Sequence, residues 1–216
     1  MIIVHQLNDS CSQRILWLLE ELDVPYEVKC YQRDERTRRA PPELKEIHLL
    51  GKSPVITDDG KVVAESGMII DYILRRHGHG RLRPDPASTS YDDYVHWMHY
   101  AEGSAMPALI VRGTVARLGD AGASLTPGFD AEVANHLGDL NKALEGRPYI
   151  LGDDLSAADI QLSLSAKSRP PGSASRRIRT SRPGSGAFRP GHLIEQRYAE
   201  VVRTASPSEP HRETCL

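Results

Sequence analysis

Apolar residues in this chain fall into short runs whose period changes several times before residue 80, and each change predicts a new element. The β-branched run "IIVHQL" near the amino terminus predicts a buried strand, and Ile15, Leu18, Leu19 and Leu22 then recur at helical spacing. Tyr26, Val28 and Cys30 alternate with polar neighbours, which predicts a second strand. "APPELKEI" carries prolines where a helix start tolerates them, so a short helix follows. "SPVITDDGKVVAES" is a pair of apolar runs joined through Asp-Gly, a hairpin signal. "SGMIIDYILRRHG" predicts a helix with Ser66 at its cap and Gly78 behind its basic last turn. The order strand, helix, strand, helix, hairpin, helix predicts a compact α/β unit with a mixed sheet over residues 1–78. In that class, ligands gather beyond strand ends near helix N-termini.

After residue 78 the pattern loses its strands. Residues 79–86, within "GHGRLRPDP", predict a linker. Tyr91, Tyr94, Val95, Trp97, Met98 and Ala101 then predict a long helix, and Val133, Leu137, Leu140 and Leu144 place one face of another. In "LSAADIQLS", Ser156 and Asp159 are spaced as a capping box, with Leu155 and Ile160 as its hydrophobic staple. Residues 87–165 are therefore expected to be all-helical. Residues 166–216 are an atypical Arg/Ser/Pro-rich tail. "KSRPPGSASRRIRTSRPGSGAFRPG" offers almost nothing to bury, and the tail is expected to be disordered or poorly packed.

Composition narrows the function classes. The 216 residues are 39% hydrophobic with a formal net charge of −2, which suits a soluble globular chain, and no apolar run approaches the roughly 20 residues of a membrane helix. No basic region precedes the first apolar run, so it reads as a strand and not a secretory signal, and a cytoplasmic location is expected. Cys11, Cys30 and Cys215 are too few and too scattered for a disulfide framework or a zinc site, and the nine histidines show no metal spacing. From residue 164 onward lie ten of the 27 Lys and Arg but only four of the 29 Asp and Glu. That basic stretch lacks interleaved aromatics, so it is not expected to bind nucleic acid.

Candidate chemistry clusters in the first unit. In "NDSCSQRILWLLEEL", Ser10 is the expected cap of the first helix, and Cys11 beside it raises the question of thiol chemistry. Ser53-Pro54 opens a strand, where a cis bond would leave the backbone of the next residue free for a ligand. Glu65-Ser66 opens the third helix, offering a carboxylate for an ammonium and N–H groups for a carboxylate. Together these features suit a small zwitterionic peptide.

With these motifs the sequence resembles the glutathione transferases. The matching segments are "NDSCSQRILWLLEEL", "YQRDERTRRAPPELKEIHLLGKSPVI" and "VVAESGMIIDYIL", and the resemblance covers residues 1 to about 163. It implies a thioredoxin-like α/β domain followed by an all-α domain, glutathione as co-substrate, a small electrophile as acceptor, and a homodimer. It implies that Ser10 faces the glutathione sulfur, that Lys52 neutralises the glycine carboxylate, and that Val55, after cis-Pro54, pairs with the cysteinyl backbone. Glu65 and Ser66 hold the γ-glutamyl end. Cys11 departs from the arginine common in relatives. Two rival readings share the fold: a non-catalytic glutathione- or protein-binding module, and a mixed-disulfide reductase acting through Cys11.

Overall fold

The computed structural model describes residues 1–167, so the expectation of a poorly packed tail from residue 166 falls almost wholly outside the described residues. Strand β1 (Ile2–Leu7) is central in a four-stranded sheet of order β2-β1-β3-β4. It runs parallel to β2 (Tyr26–Tyr31) and antiparallel to β3 (Val55–Asp58), which closes the hairpin with β4 (Lys61–Ala64). The hairpin turn is Asp59-Gly60, with φ of 47° and 84° at the two positions. Successive positive φ values fit the two-residue turn that matches strand twist, and Gly60 adopts its value without steric cost.

Alternation along the strands sorts side chains between two layers. Ile2 and Val4 of β1, Ile56 of β3 and Val63 of β4 face helices α1 (Ser12–Glu21) and α3 (Ser66–His77), where Ile15, Leu18, Leu19, Ile69, Ile70 and Ile73 complete a dry core. Leu7, Tyr31 and Val55 face the other way, onto Leu44 of the short helix α2 (Glu43–Ile47). This is the mixed α/β unit that the period changes predict. Helix α3 ends at Gly78, where φ is −73°. A glycine is needed there for close approach, because a Cβ would stand 2.5 Å from the Leu74 carbonyl oxygen.

The second unit is helical: α4 (Ser90–Tyr100), a π-helical turn over Ala101–Ala105, α5 (Met106–Arg117), α6 (Thr126–Ala143) and α7 (Ala157–Lys167). A lone bridge between Tyr149 and Gly152 is the exception to an all-helical second unit. Tyr94, Trp97, Leu140, Ile150 and Ile160 belong to the same apolar cluster as the sheet and α1. Half of the expected Ser156–Asp159 box forms: the Asp159 carboxylate accepts from the Ser156 N–H (2.9 Å), but the Ser156 hydroxyl donates to that carboxylate (2.7 Å) while the Asp159 N–H donates to the Ser156 carbonyl oxygen (3.1 Å), and the carboxylate also accepts from the Ile150 N–H (2.7 Å).

Two caps differ from the sequence reading. Helix α1 begins one residue later than expected, with Cys11 at its N-cap, because the Ser10 side chain turns back toward the sheet. Glu65, at φ 71°, occupies the N-cap of α3, and Ser66 stands in its first turn. Among the described residues, no helix is long and apolar enough to cross a membrane.

Candidate functional site

One end of the sheet collects the candidate glutathione-site residues, with Lys52 on the approach to it. Strand β1 ends at Leu7 and leads through Asn8 and Asp9 to Ser10. Strand β3 starts at Val55, opposite His5 on β1 and Ala64 on β4, so Lys52-Ser53-Pro54 enters, and Glu65-Ser66 leaves, at the end where β1 finishes. The Ser53–Pro54 peptide is cis, and the Ser53 hydroxyl donates to the His5 carbonyl oxygen at 2.9 Å, which ties this turn to β1.

Ser10 is 7% exposed and densely bonded. Its hydroxyl donates to the Leu7 carbonyl oxygen at 2.6 Å. With that proton committed, the Ser12 hydroxyl at 2.8 Å is a donor to Ser10, and the Ser12 N–H adds a weaker contact at 3.3 Å. The Ser53 hydroxyl lies 3.4 Å away, so Ser10 joins the helix start to the cis-proline turn. Cys11, half-buried beside it, has a thiol pushed up in pKa, chiefly by burial and partly by Glu102, against the lowering pull of Arg14 and Arg33. A nucleophilic cysteine requires a shift in the other direction.

At the γ-glutamyl end implied by the resemblance, Glu65 is exposed and Ser66 is buried. The Ser66 hydroxyl accepts from Arg14 Nη1 at 3.4 Å and from Gln161 Nε2 at 3.0 Å. Arg14 is 0% exposed and also pairs through Nη1 with Glu102, which stands on the π-helical turn. Its Nε and Nη2, and Oε1 of the buried Gln161, have no partner among the described residues. Lys52 is exposed, and among the described residues neither it nor Glu65 has a side-chain ion-pair partner. Val55 is buried, and its backbone lies in the ladder between β1 and β4, so the expectation that the residue after cis-Pro54 keeps its backbone free for a ligand is not met.

The fold thus brings Ser10, Pro54, Val55, Glu65 and Ser66 to one end of the sheet, with Lys52 on the exposed approach to it. Sequence reasoning missed Arg14, Gln161, Glu102 and Ser12. A signal existed for the first of these, since Arg14 interrupts an otherwise apolar helix face at the position one turn before Leu18. Gln161 likewise follows directly on the buried Ile160. Among the described residues, no cluster of His, Cys, Asp or Glu could hold a metal ion.

Comparison with known proteins bears on this geometry. Residues 1–75 match the family described as "Glutathione S-transferase, N-terminal domain". The chain is 33% identical over 187 residues to Glutathione S-transferase 1 of Saccharomyces cerevisiae, covering 76% of this chain and 78% of the yeast protein. It is 32% identical over 179 residues to Glutathione S-transferase 3 of Schizosaccharomyces pombe, covering 75% and 72% respectively. The crystal structure of a glutathione S-transferase from Actinobacillus pleuropneumoniae superposes with a TM-score of 0.72 at 31% identity, covering 99% of this chain and 93% of the other.

Proposed function

We propose, because this chain belongs to the glutathione S-transferase family, that it conjugates the glutathione thiolate to small electrophiles, using the end of the sheet where β1 finishes as its glutathione site. The observation that carries the reading is the convergence there of Ser10, the Ser53–cis-Pro54 turn and the Glu65-Ser66 helix start. Glu65 is the partner for the γ-glutamyl ammonium, and the Ser66 hydroxyl, with the first N–H groups of α3, is the partner for the α-carboxylate. The Ser53–cis-Pro54 turn, which lies outside the ladder that holds the Val55 backbone, receives the cysteinyl unit, and Lys52 neutralises the glycine carboxylate.

The chemistry rests on thiolate stability. A free thiol has a pKa of about 8.5, so only a few per cent is ionised at pH 7. A hydroxyl hydrogen bond and the N-terminal end of α1 both favour the anion. For Ser10 to donate to the bound sulfur, its proton must leave the Leu7 carbonyl, while the Ser12 hydroxyl continues to donate to Ser10 and sharpens its polarity. The sulfur lone pair then forms a bond to the electrophilic carbon, and the leaving group departs with its electron pair. In an addition, the acceptor takes the pair and is then protonated. A homodimer in the cytoplasm is the setting this reading implies.

A glutathione-binding module without turnover is the second reading, and one observation favours it: the single Ser10 proton is already engaged by Leu7. The reductase reading through Cys11 runs against the upward shift of that thiol. Calorimetry with glutathione, followed by a spectrophotometric conjugation assay on an aryl halide, tests the proposal. Binding with turnover that falls about 10²-fold or more in Ser10→Ala, as expected for losing one anion-stabilising donor, supports transfer. Binding with neither conjugation nor disulfide exchange selects the module, and exchange of a glutathione mixed disulfide that depends on Cys11 but not on Ser10 selects the reductase.

A further inference from the structure

Beside the γ-glutamyl end of the proposed site lies a polar cluster assembled from four separate elements, buried except for Glu102. Arg14 comes from α1, Ser66 from α3, Glu102 from the π-helical turn and Gln161 from α7. Both Arg14 and Gln161 are 0% exposed, positions at which a polar side chain is costly unless its partners repay the lost hydration. Yet Arg14 Nε and Nη2 and Gln161 Oε1 have no partner among the described residues. What the two side chains do share is the Ser66 hydroxyl oxygen.

A hydroxyl has one proton and two acceptor lone pairs. At Ser66 both incoming bonds are N–H donations, at 3.4 Å from Arg14 and 3.0 Å from Gln161, and both occupy acceptor capacity. Arginine has no acceptor to offer in return. No acceptor for the Ser66 proton is found among the described residues, so among them that proton is uncommitted and can be offered to a ligand. Two donors on the oxygen also polarise the O–H and make it a stronger donor.

We infer that Arg14 and Gln161 are positioning residues that fix Ser66 as a hydrogen-bond donor, so that it reads the α-carboxylate of a γ-glutamyl peptide. The inference rests on the proposal that glutathione binds at this end of the sheet, and it adds that recognition of the carboxylate depends on α7 of the helical unit. Glu102 holds the shared Arg14 nitrogen without competing for the Ser66 proton, because no bond joins Glu102 to Ser66 among the described residues.

The test compares two ligands on the full chain by calorimetry: glutathione, and γ-aminobutyryl-cysteinylglycine, which lacks only the γ-glutamyl α-carboxylate. Gln161→Leu, which keeps side-chain volume and removes the donor, is expected to weaken glutathione about 2- to 10-fold and leave the analogue unchanged. In a Ser66→Ala background the Gln161→Leu effect should vanish, because its only route to the ligand is gone. Equal weakening of both ligands would mean a purely structural role and overturn the inference. So would unchanged glutathione affinity, or a gain, since a gain would mean that the Gln161 amide takes the Ser66 proton. Arg14→Lys, which keeps the charge on a single nitrogen, is expected to show the same ligand-selective loss. Absence of any glutathione binding by the parent chain would instead defeat the proposed function itself, and equal parent affinity for the two ligands would remove the carboxylate contact.

Discussion

At the scale of single residues, hydrogen-bond polarity decides more than residue type. Ser10 and Ser66 are both buried serines at helix starts, but among the described residues Ser10 gives its proton to Leu7 while Ser66 only receives. Glu65→Ala would leave the γ-glutamyl ammonium without its counter-charge, and loss of one charge-assisted bond should weaken glutathione roughly 10- to 100-fold by calorimetry. Lys52→Ala should cost less, because its exposed charge is screened. His5 offers a prediction about pH. Its ring contacts the Tyr31 hydroxyl at 3.0 Å and Thr57 at 3.3 Å, and burial first, then the Lys29 charge, lowers its pKa. The unfolded chain therefore binds this proton more readily than the folded one, so His5 makes stability rise with pH through the interval below about 6.5 and lowers it on acidification. Urea midpoints at several pH values between 5 and 7.5 should slope less steeply in His5→Gln than in the parent chain.

At the scale of elements, the local signals that the sequence carries are those the structure realises. The Asp59-Gly60 turn, the proline-led α2 and the Ser156–Asp159 pairing each need only neighbours along the chain, and each forms where the sequence places it. What needed tertiary contact was hidden. The Ile150 N–H reaching Asp159 comes from nine residues away, and Arg14 finds Ser66 across 52 residues, so neither pairing has a spacing to read. Helix α5 was also not separately legible. Ile110 and Val111 are exposed alongside the buried Ala108 and Leu109, so the helix presents no clean apolar stripe among the described residues. The extra bond at Asp159 raises its importance above an ordinary cap. Asp159→Ala would strand the buried Ile150 and Ser156 N–H groups and should destabilise the fold by about 2 to 4 kcal/mol, against about half that for Asp159→Asn, which keeps acceptor capacity. Urea unfolding of both variants measures the difference.

At the scale of the whole molecule, the two units share one interior. A single apolar cluster runs from Ile2 and Val4 in the sheet through Trp17 on α1 and Ile70 on α3 to Trp97 on α4 and Ile160 on α7. The Arg14 cluster crosses the same boundary with polar contacts, and the Ala157 N–H donates to the Leu82 carbonyl at 2.8 Å, fastening α7 to the segment between the units. Separation would bare the inner faces of α1 and α3 to water at roughly 25 cal/mol per Å² of apolar surface, so the two units are expected to unfold together in one transition. The sequence has two tryptophans, and they stand one in each unit, Trp17 at 1% exposure and Trp97 at 9%. Trp97→Phe leaves a reporter of the α/β unit, and Trp17→Phe leaves one of the helical unit. Within each variant, the fluorescence transition in urea should coincide with the loss of total helix by circular dichroism. A ligand that binds only the folded chain stabilises whatever unfolds with its site, by about 2.7 kcal/mol at a hundred times its Kd. Glutathione at that excess over each variant's own Kd should therefore raise the Trp97 transition as much as the Trp17 transition, although the proposed site is built at the sheet. A Trp97 transition that precedes helix loss, or that glutathione leaves in place, would show that the helical unit unfolds on its own and that the shared core does not couple the two.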